Sequence, residues 1–175
     1  MPTDSDLATF ADPSLDQHFL VSEEKLSKLV SAAGIRPEDR VVEFGAGAGT
    51  VARSLPPSAS LTVVEFDERL LGFLRDNVPH ARVIHGDALT LVREIPCDVL
   101  IGNLPHWVTD ELVSVLSEIS FRTAVLAVGE STVLDRLGPT LRWEEIDRIT
   151  GDDFLPPQEG VSLLVKVEHQ TPQGG

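Results

Sequence analysis

Residues 41–50 read VVEFGAGAGT, a short hydrophobic run that carries an acid and then three glycines at alternate positions. A brief β-branched run closed by glycine reads as a buried strand followed by a tight turn. Gly45, Gly47 and Gly49 lack a Cβ, so a ligand or another backbone can come close to this loop. In open α/β sheets ligands bind at the carboxyl ends of the strands, so one stretch sets both a fold and a site. The dinucleotide fingerprint has the spacing G-x-G-x-x-G and puts a pyrophosphate on a helix start. Here the spacing is G-x-G-x-G, and Glu43 stands before it. A carboxylate there opposes a pyrophosphate and favours a cationic ligand, one that carries an amino group or a sulfonium.

The rest of the chain repeats this strand–helix pattern. SEEKLSKLVSAAG (22–34) predicts a helix with Ser22 as N-cap, Glu23 and Glu24 at the positive end and Gly34 as the stop. After RVVEF come a helix through TVARSL, a strand LTVVEF, and a helix DERLLGFLRDN capped by Asp67. Next are strands ARVIH and CDVLIG, a helix TDELVSVLSEI with Thr109 as cap, and a strand TAVLAV. LRWEEIDRI and VSLLVKVEH, parted by the turn-rich TGDDFLPPQEG, predict an antiparallel pair at the sheet edge. The expectation is an α/β, Rossmann-like fold with a seven-stranded, mostly parallel sheet and an antiparallel last strand pair. Residues 1–16 read as a flexible arm, 17–169 as a single domain and 170–175 as a disordered tail.

The chain holds 14 Lys and Arg against 28 Asp and Glu, a net charge of −14. Its only lysines are Lys25, Lys28 and Lys166. Nucleic-acid binding is driven largely by cations that displace counterions, so this balance favours a small-molecule or peptide partner over RNA. The single Cys97 fits a reducing, cytoplasmic setting, and no apolar run has the roughly 20 residues that a membrane helix needs. The five histidines lack metal-ligand spacing, so no metal site is expected.

Two more acids end strands. Glu65 closes the second strand, where it can accept from both hydroxyls of a ribose, and Asp87 in HGDAL closes the third, where it can accept from an adenine amine. Three acids at successive strand ends, the first beside a glycine loop, describe a site for S-adenosylmethionine. Phe66 can cover the adenine ring or pack at the strand end, and Trp107 can serve as a platform for an acceptor or as the first core anchor of the following helix. At the end of the fourth strand stands GNLPHW (102–107). The Asn103 side-chain carbonyl and the Leu104 backbone carbonyl, held by Pro105, can both accept from an amine. That aims its lone pair and offsets developing positive charge. His106 can stack on an acceptor ring or act as a general base.

These motifs resemble the rRNA adenine N6-dimethyltransferases, a family of class I S-adenosylmethionine-dependent methyltransferases. DQHFL (16–20) is similar to its N-terminal signature, VVEFGAGAGT to its first motif, LTVVEFD to its ribose acid and HGDAL to its adenine acid. GNLPHW is similar to its Asn-Leu/Ile-Pro-Tyr/Phe motif, and FLPP (154–157) to its element before the last strand. The resemblance implies donor contacts from Gln17, His18, Leu20, Gly45, Gly47, Glu65, Asp87 and Ala88, and an acceptor held by Asn103. It departs in three ways: His106 replaces Tyr or Phe, few residues follow the last strand where relatives carry a helical domain, and cations are scarce. The expectation is N-methyl transfer to a small molecule or peptide. The alternatives are an rRNA adenine methylase that needs a partner and a non-catalytic donor-binding subunit.

Overall fold

The computed structural model describes residues 3–132 and 134–170. Its elements run α1 (Asp4–Phe10), β1 (Phe19–Leu20), α2 (Glu23–Ala33), β2 (Arg40–Phe44), β3 (Ser60–Glu65), α3 (Glu68–Asn77) and β4 (Arg82–His85). There follow α4 (Ala88–Leu91), β5 (Val99–Gly102), α5 (His106–Val115), β6 (Thr123–Gly129), β7 (Leu141–Thr150), β8 (Phe154–Leu155) and β9 (Val161–His169).

Among the described residues seven strands form one sheet in the order β4-β3-β2-β5-β6-β9-β7. The strands from β4 to β6 pair in parallel, and β9 lies antiparallel between β6 and β7. The expected sheet and its antiparallel end are both present. β5 and β6 are buried along their whole length, as strands covered on both faces must be. Alternation divides the core in two. Val42, Phe44, Val64 and Leu100 pack with Leu112 and Leu116, on the side of α5. Val41, Val63, Val99 and Ile101 pack with Leu29 and Ala33 of α2 and Leu74 of α3. Each such fully buried aliphatic side chain contributes about 1.5–3 kcal/mol.

The caps explain where the helices begin. Ser22 accepts from the Lys25 amide and Asp67 from the Arg69 amide, while Gly34 ends α2 in the left-handed conformation. Edge strand β7 is kept from open pairing by a bulge between Glu145 and Asp147 and by its charged side chains. Lys25 and Lys28 reach across from α2 to Asp147, each at 2.7 Å, and hold its carboxyl far below the usual range.

Four expectations need correction. Residues 4–10 of the expected arm are helical, capped by Thr3 and Asp6 in a reciprocal box, and Leu7 is buried against Phe19, Ala48 and Leu70. After the glycine loop the chain makes only a 3₁₀ turn, Ala52–Ser54. Pro56 and Pro57 disfavour the helical state of the residue before them, so no longer helix can grow there. Thr109 is not a cap. α5 already begins at His106, behind Pro105, and the Thr109 hydroxyl turns back to the Pro105 carbonyl. Finally, the segment between β7 and β9 contains β8, which pairs with β1 as a separate two-stranded ladder. At the far end the Gln170 amide bonds the Thr140 carbonyl at 2.8 Å, and the rest of the expected tail, 171–175, lies outside the described residues.

Candidate functional site

β2 leads through β3 to β4 on one side, while β5 and β6 lie on its other side. The direction of winding therefore reverses between β2 and β5, and the carboxyl ends of such a pair open a crevice. A cavity of about 350 Å³ lies there. Gly45 leaves β2 and Asn103 leaves β5, and the two meet. A Cβ on Gly45 would lie 3.0 Å from the Asn103 carbonyl oxygen and would overlap the Leu104 side chain. The glycine loop and the Asn-Leu-Pro element are thus one structure.

Among the described residues five carboxyls line the cavity, on Asp16, Glu43, Glu65, Asp67 and Asp87, and no Lys or Arg does. Glu43 is 1% exposed, and its Oε2 has no hydrogen-bond partner among the described residues. Burial holds its carboxyl well above the ordinary range, and the neighbouring Glu65 pushes it further in that direction. Glu65 is also raised by burial, but the Gly47 amide donates to its Oε2 at 2.7 Å and the Asp67 amide to its Oε1 at 2.8 Å. Each oxygen keeps a second lone pair, so a diol can still be bound. An unpartnered buried acid in an anionic cleft fits a cationic ligand.

This arrangement predicts a trade between stability and binding at Glu43. A carboxyl whose folded pKa is raised favours folding fully below its ordinary value of 4.5, and that contribution is lost as pH rises toward the folded value. Glu43→Gln is expected to flatten this decline. At pH 8 it should raise stability by about 1 kcal/mol, roughly 2–4 °C in Tm, because a buried charge without a partner is removed. Calorimetric melts across pH 5–8 check this, and an unchanged slope contradicts it.

Most of the sequence-predicted site residues converge. Gln17, His18, Glu43, Gly45, Gly47, Glu65, Phe66, Asp87, Ala88, Asn103, Leu104, Pro105, His106 and Trp107 all line the cavity. Leu20 and Gly49 do not. Leu20 is buried in the core beneath, and a Cβ on Gly49 would sit 2.8 Å from Val78 at the end of α3. Gln17 is more committed than expected. Its amide donates to Asp67 at 2.7 Å and its carbonyl accepts from the Asp12 amide at 3.1 Å. Asp67 is held at about 2 by the Arg69 guanidinium and by Gln17. His18 donates from Nδ1 to the Pro156 carbonyl at 2.8 Å, which ties the N-terminal signature to FLPP. Asp87 also caps α4, accepting the Leu89 amide through Oδ1. Phe66 and Trp107 are each 68% exposed, so neither is a core anchor and both stand at the cavity's rim.

Sequence reasoning missed Phe19, Thr50, Phe154, Gln158 and Ser162 in the lining. Phe154 opens FLPP and Gln158 follows it, and the β1–β8 pairing brings this segment to the cavity. Ser162 carries no local signal. Among the described residues no group of three or more His, Cys, Asp or Glu is placed to hold a metal ion.

The geometry can be set beside known proteins. Residues 10–142 match the family model described as ribosomal RNA adenine dimethylase. The chain is 33% identical to the ribosomal RNA small subunit methyltransferase A of Malacoplasma penetrans, over 73% of this chain and 49% of that relative. It is 31% identical to the probable ribosomal RNA small subunit methyltransferase A of Methanosarcina acetivorans, over 88% of this chain and 57% of the relative. The chain therefore spans about half the length of these curated relatives. Its fold is also similar to a dimethyladenosine transferase from Plasmodium falciparum, with a TM-score of 0.78, 22% identity and coverage of 87% of this chain and 64% of the other. The 23S rRNA methyltransferase ErmE gives a TM-score of 0.78 at 24% identity, covering 87% and 70%. The matched segment holds the glycine loop, the strand-end acids and the Asn-Leu-Pro element, and by it the chain belongs to the ribosomal RNA adenine dimethylase family.

Proposed function

We propose that the chain is an S-adenosylmethionine-dependent methyltransferase acting on the N6 amine of an adenine in ribosomal RNA. The observation that carries this reading is the contact of Gly45 with Asn103 and Leu104, which joins an anionic donor cleft to an amine-holding element. When bound, S-adenosylmethionine supplies an electrophilic methyl on a sulfonium. The protein's own part is orientation and charge. Glu65 and Asp87 stand where the two strand ends offer acceptors to a ribose and an adenine. Glu43 offers an unpartnered oxygen to the cationic half of the ligand. Asn103 and the Leu104 carbonyl accept the acceptor's N–H bonds, turning its lone pair into the cleft and stabilising positive charge as it develops on nitrogen. The surplus N–H proton then leaves to solvent.

The chain's acidity argued for a small molecule or peptide, but the names of its relatives support RNA. Net charge counts every carboxyl equally, wherever it lies. Several of these acids line the cleft, where they face a cationic donor rather than a phosphate backbone. An adenine that reaches this cleft arrives as an uncharged base, so no cation is needed inside it.

A labelled-methyl assay tests the reading on three acceptor pools: ribosomal RNA, free small molecules and peptides. Label is expected in ribosomal RNA, as N6-methylated adenine after nuclease digestion. Label only in the small-molecule or peptide pool would overturn the RNA assignment. Donor binding without transfer to any pool would make the chain a donor-binding subunit.

A further inference from the structure

Glu43 lacks what a buried charge requires. It lies within β2, where the ladder sets it between Val63 of β3 and Ile101 of β5, both fully buried. Its Oε2 accepts no hydrogen bond among the described residues, and the Ala52 amide alone favours its charged form. The neighbouring Glu65 is held differently, because the Gly47 and Asp67 amides each donate to one of its oxygens. The two carboxyls therefore divide their roles. Backbone donors favour charge on Glu65, and Glu43, with an oxygen left bare, favours a proton.

The other charged groups do not reverse that balance. Asp67 is paired with Arg69 and Gln17, and Asp87 and Asp16 add negative charge from the end of β4 and from the N-terminal segment. His18 and His106 line the cavity too, but each has a ring nitrogen engaged elsewhere, with the Pro156 carbonyl and the Ser162 hydroxyl. Among the described residues no Lys or Arg reaches the lining.

We propose that Glu43 is a proton-linked receptor for the donor's cation, a neutral acid in the free protein that ionises when the cationic half of S-adenosylmethionine binds. The Glu43 O–H bond breaks, its electron pair stays on the carboxylate and the proton passes to solvent. The free protein thus avoids an uncompensated buried charge, and the full attraction is switched on only with a cation to receive it. Donor affinity becomes linked to pH, a linkage that an uncharged ribose and adenine do not supply. The assignment rests on the reading of the cleft as a donor site.

Titration calorimetry of the full chain tests this in buffers of different ionisation enthalpy between pH 6 and pH 8. Binding of S-adenosylmethionine should release protons, approaching about one per donor toward pH 6. Its affinity should rise with pH by up to about tenfold per unit until Glu43 ionises in the free protein. Adenosine, which carries the ribose and base without the cation, should release none. Glu43→Gln should bind the donor about tenfold more weakly at pH 8, with no proton release and a flat pH profile. Infrared difference spectra of the parent give a reading that needs no variant. The carbonyl stretch of a protonated carboxyl should vanish when donor is added and persist with adenosine. Release that continues in Glu43→Gln, or equal release by adenosine, would assign the proton to another group and overturn the proposal. A carbonyl band unchanged by donor would also overturn it. Donor binding without proton release at any pH would overturn it while the donor site stands, and no donor binding at all would retire the site itself.

Discussion

Gly45→Val is expected to abolish methyl transfer and to lower Tm by about 6–12 °C, the largest effect foreseen at any single position. Two independent penalties coincide there. The backbone of Gly45 has φ +75°, in the left-handed region where a β-branched residue is strained by roughly 1–2 kcal/mol. The new side chain would also start 3.0 Å from the Asn103 carbonyl and inside the space of the Leu104 side chain. Overpacking of this kind costs about 1–3 kcal/mol more. The chain can yield only by moving the Asn-Leu-Pro element away from the glycine loop. A variant that still folds should therefore bind neither donor nor acceptor well. Gly72→Ala supplies the control. Gly72 lies within α3 with nothing within 4 Å of an added Cβ, and alanine there should gain about 0.5–1 kcal/mol from helix propensity. Differential scanning calorimetry with the labelled-methyl assay reads both variants. Full activity in Gly45→Val would refute the contact between the two motifs.

Asn103→Ala is expected to act in the opposite manner, on rate without stability. Asn103 is partly exposed on the cavity wall, just past the end of β5, so truncation leaves the core beneath intact. In the proposed mechanism it removes the side-chain carbonyl that accepts from the amine on which positive charge develops. Loss of one such preorganised group costs about 10²–10³ in kcat, or roughly 3–4 kcal/mol of transition-state stabilisation. Tm and donor affinity should stay with the parent, since Glu43, Glu65 and Asp87 remain in place. Single-turnover kinetics and donor calorimetry separate the two. A tenfold or greater loss of donor affinity with little change in the rate at saturation would reassign Asn103 from the acceptor to the donor.

Local sequence fixed the identity of the parallel strands, because a hydrophobic run, its β-branched content and the glycines or acids that end it all lie within a few residues. The caps at Ser22 and Asp67 and the stop at Gly34 were legible for the same reason. The site residues at strand ends could be named from sequence because the α/β topology sends every parallel strand end to one edge. Short-range chemistry also misled. TVARSL has helical composition, yet the prolines that follow leave only a 3₁₀ turn, and Thr109 has a cap's chemistry but lies inside a helix that begins at His106.

What only the tertiary structure decided depends on pairings across long stretches of chain. Gly45 and Gly49 look equivalent in the repeat, but one faces Asn103 and Leu104 and the other Val78, because β5 and α3 lie on different sides of the loop. The two-residue β1–β8 ladder brings His18 to Pro156, which no periodicity in either segment foretells. Ser162 gains its place beside His106 only because β9 runs antiparallel to β6 in the register that sets it against Gly129. A slip of one residue in that pairing would turn Ser162 to the other face of the sheet. The residues themselves pointed to the strand-end acids and glycine loop that line the cleft, and the register of an antiparallel strand decided what stands beside His106 at its rim.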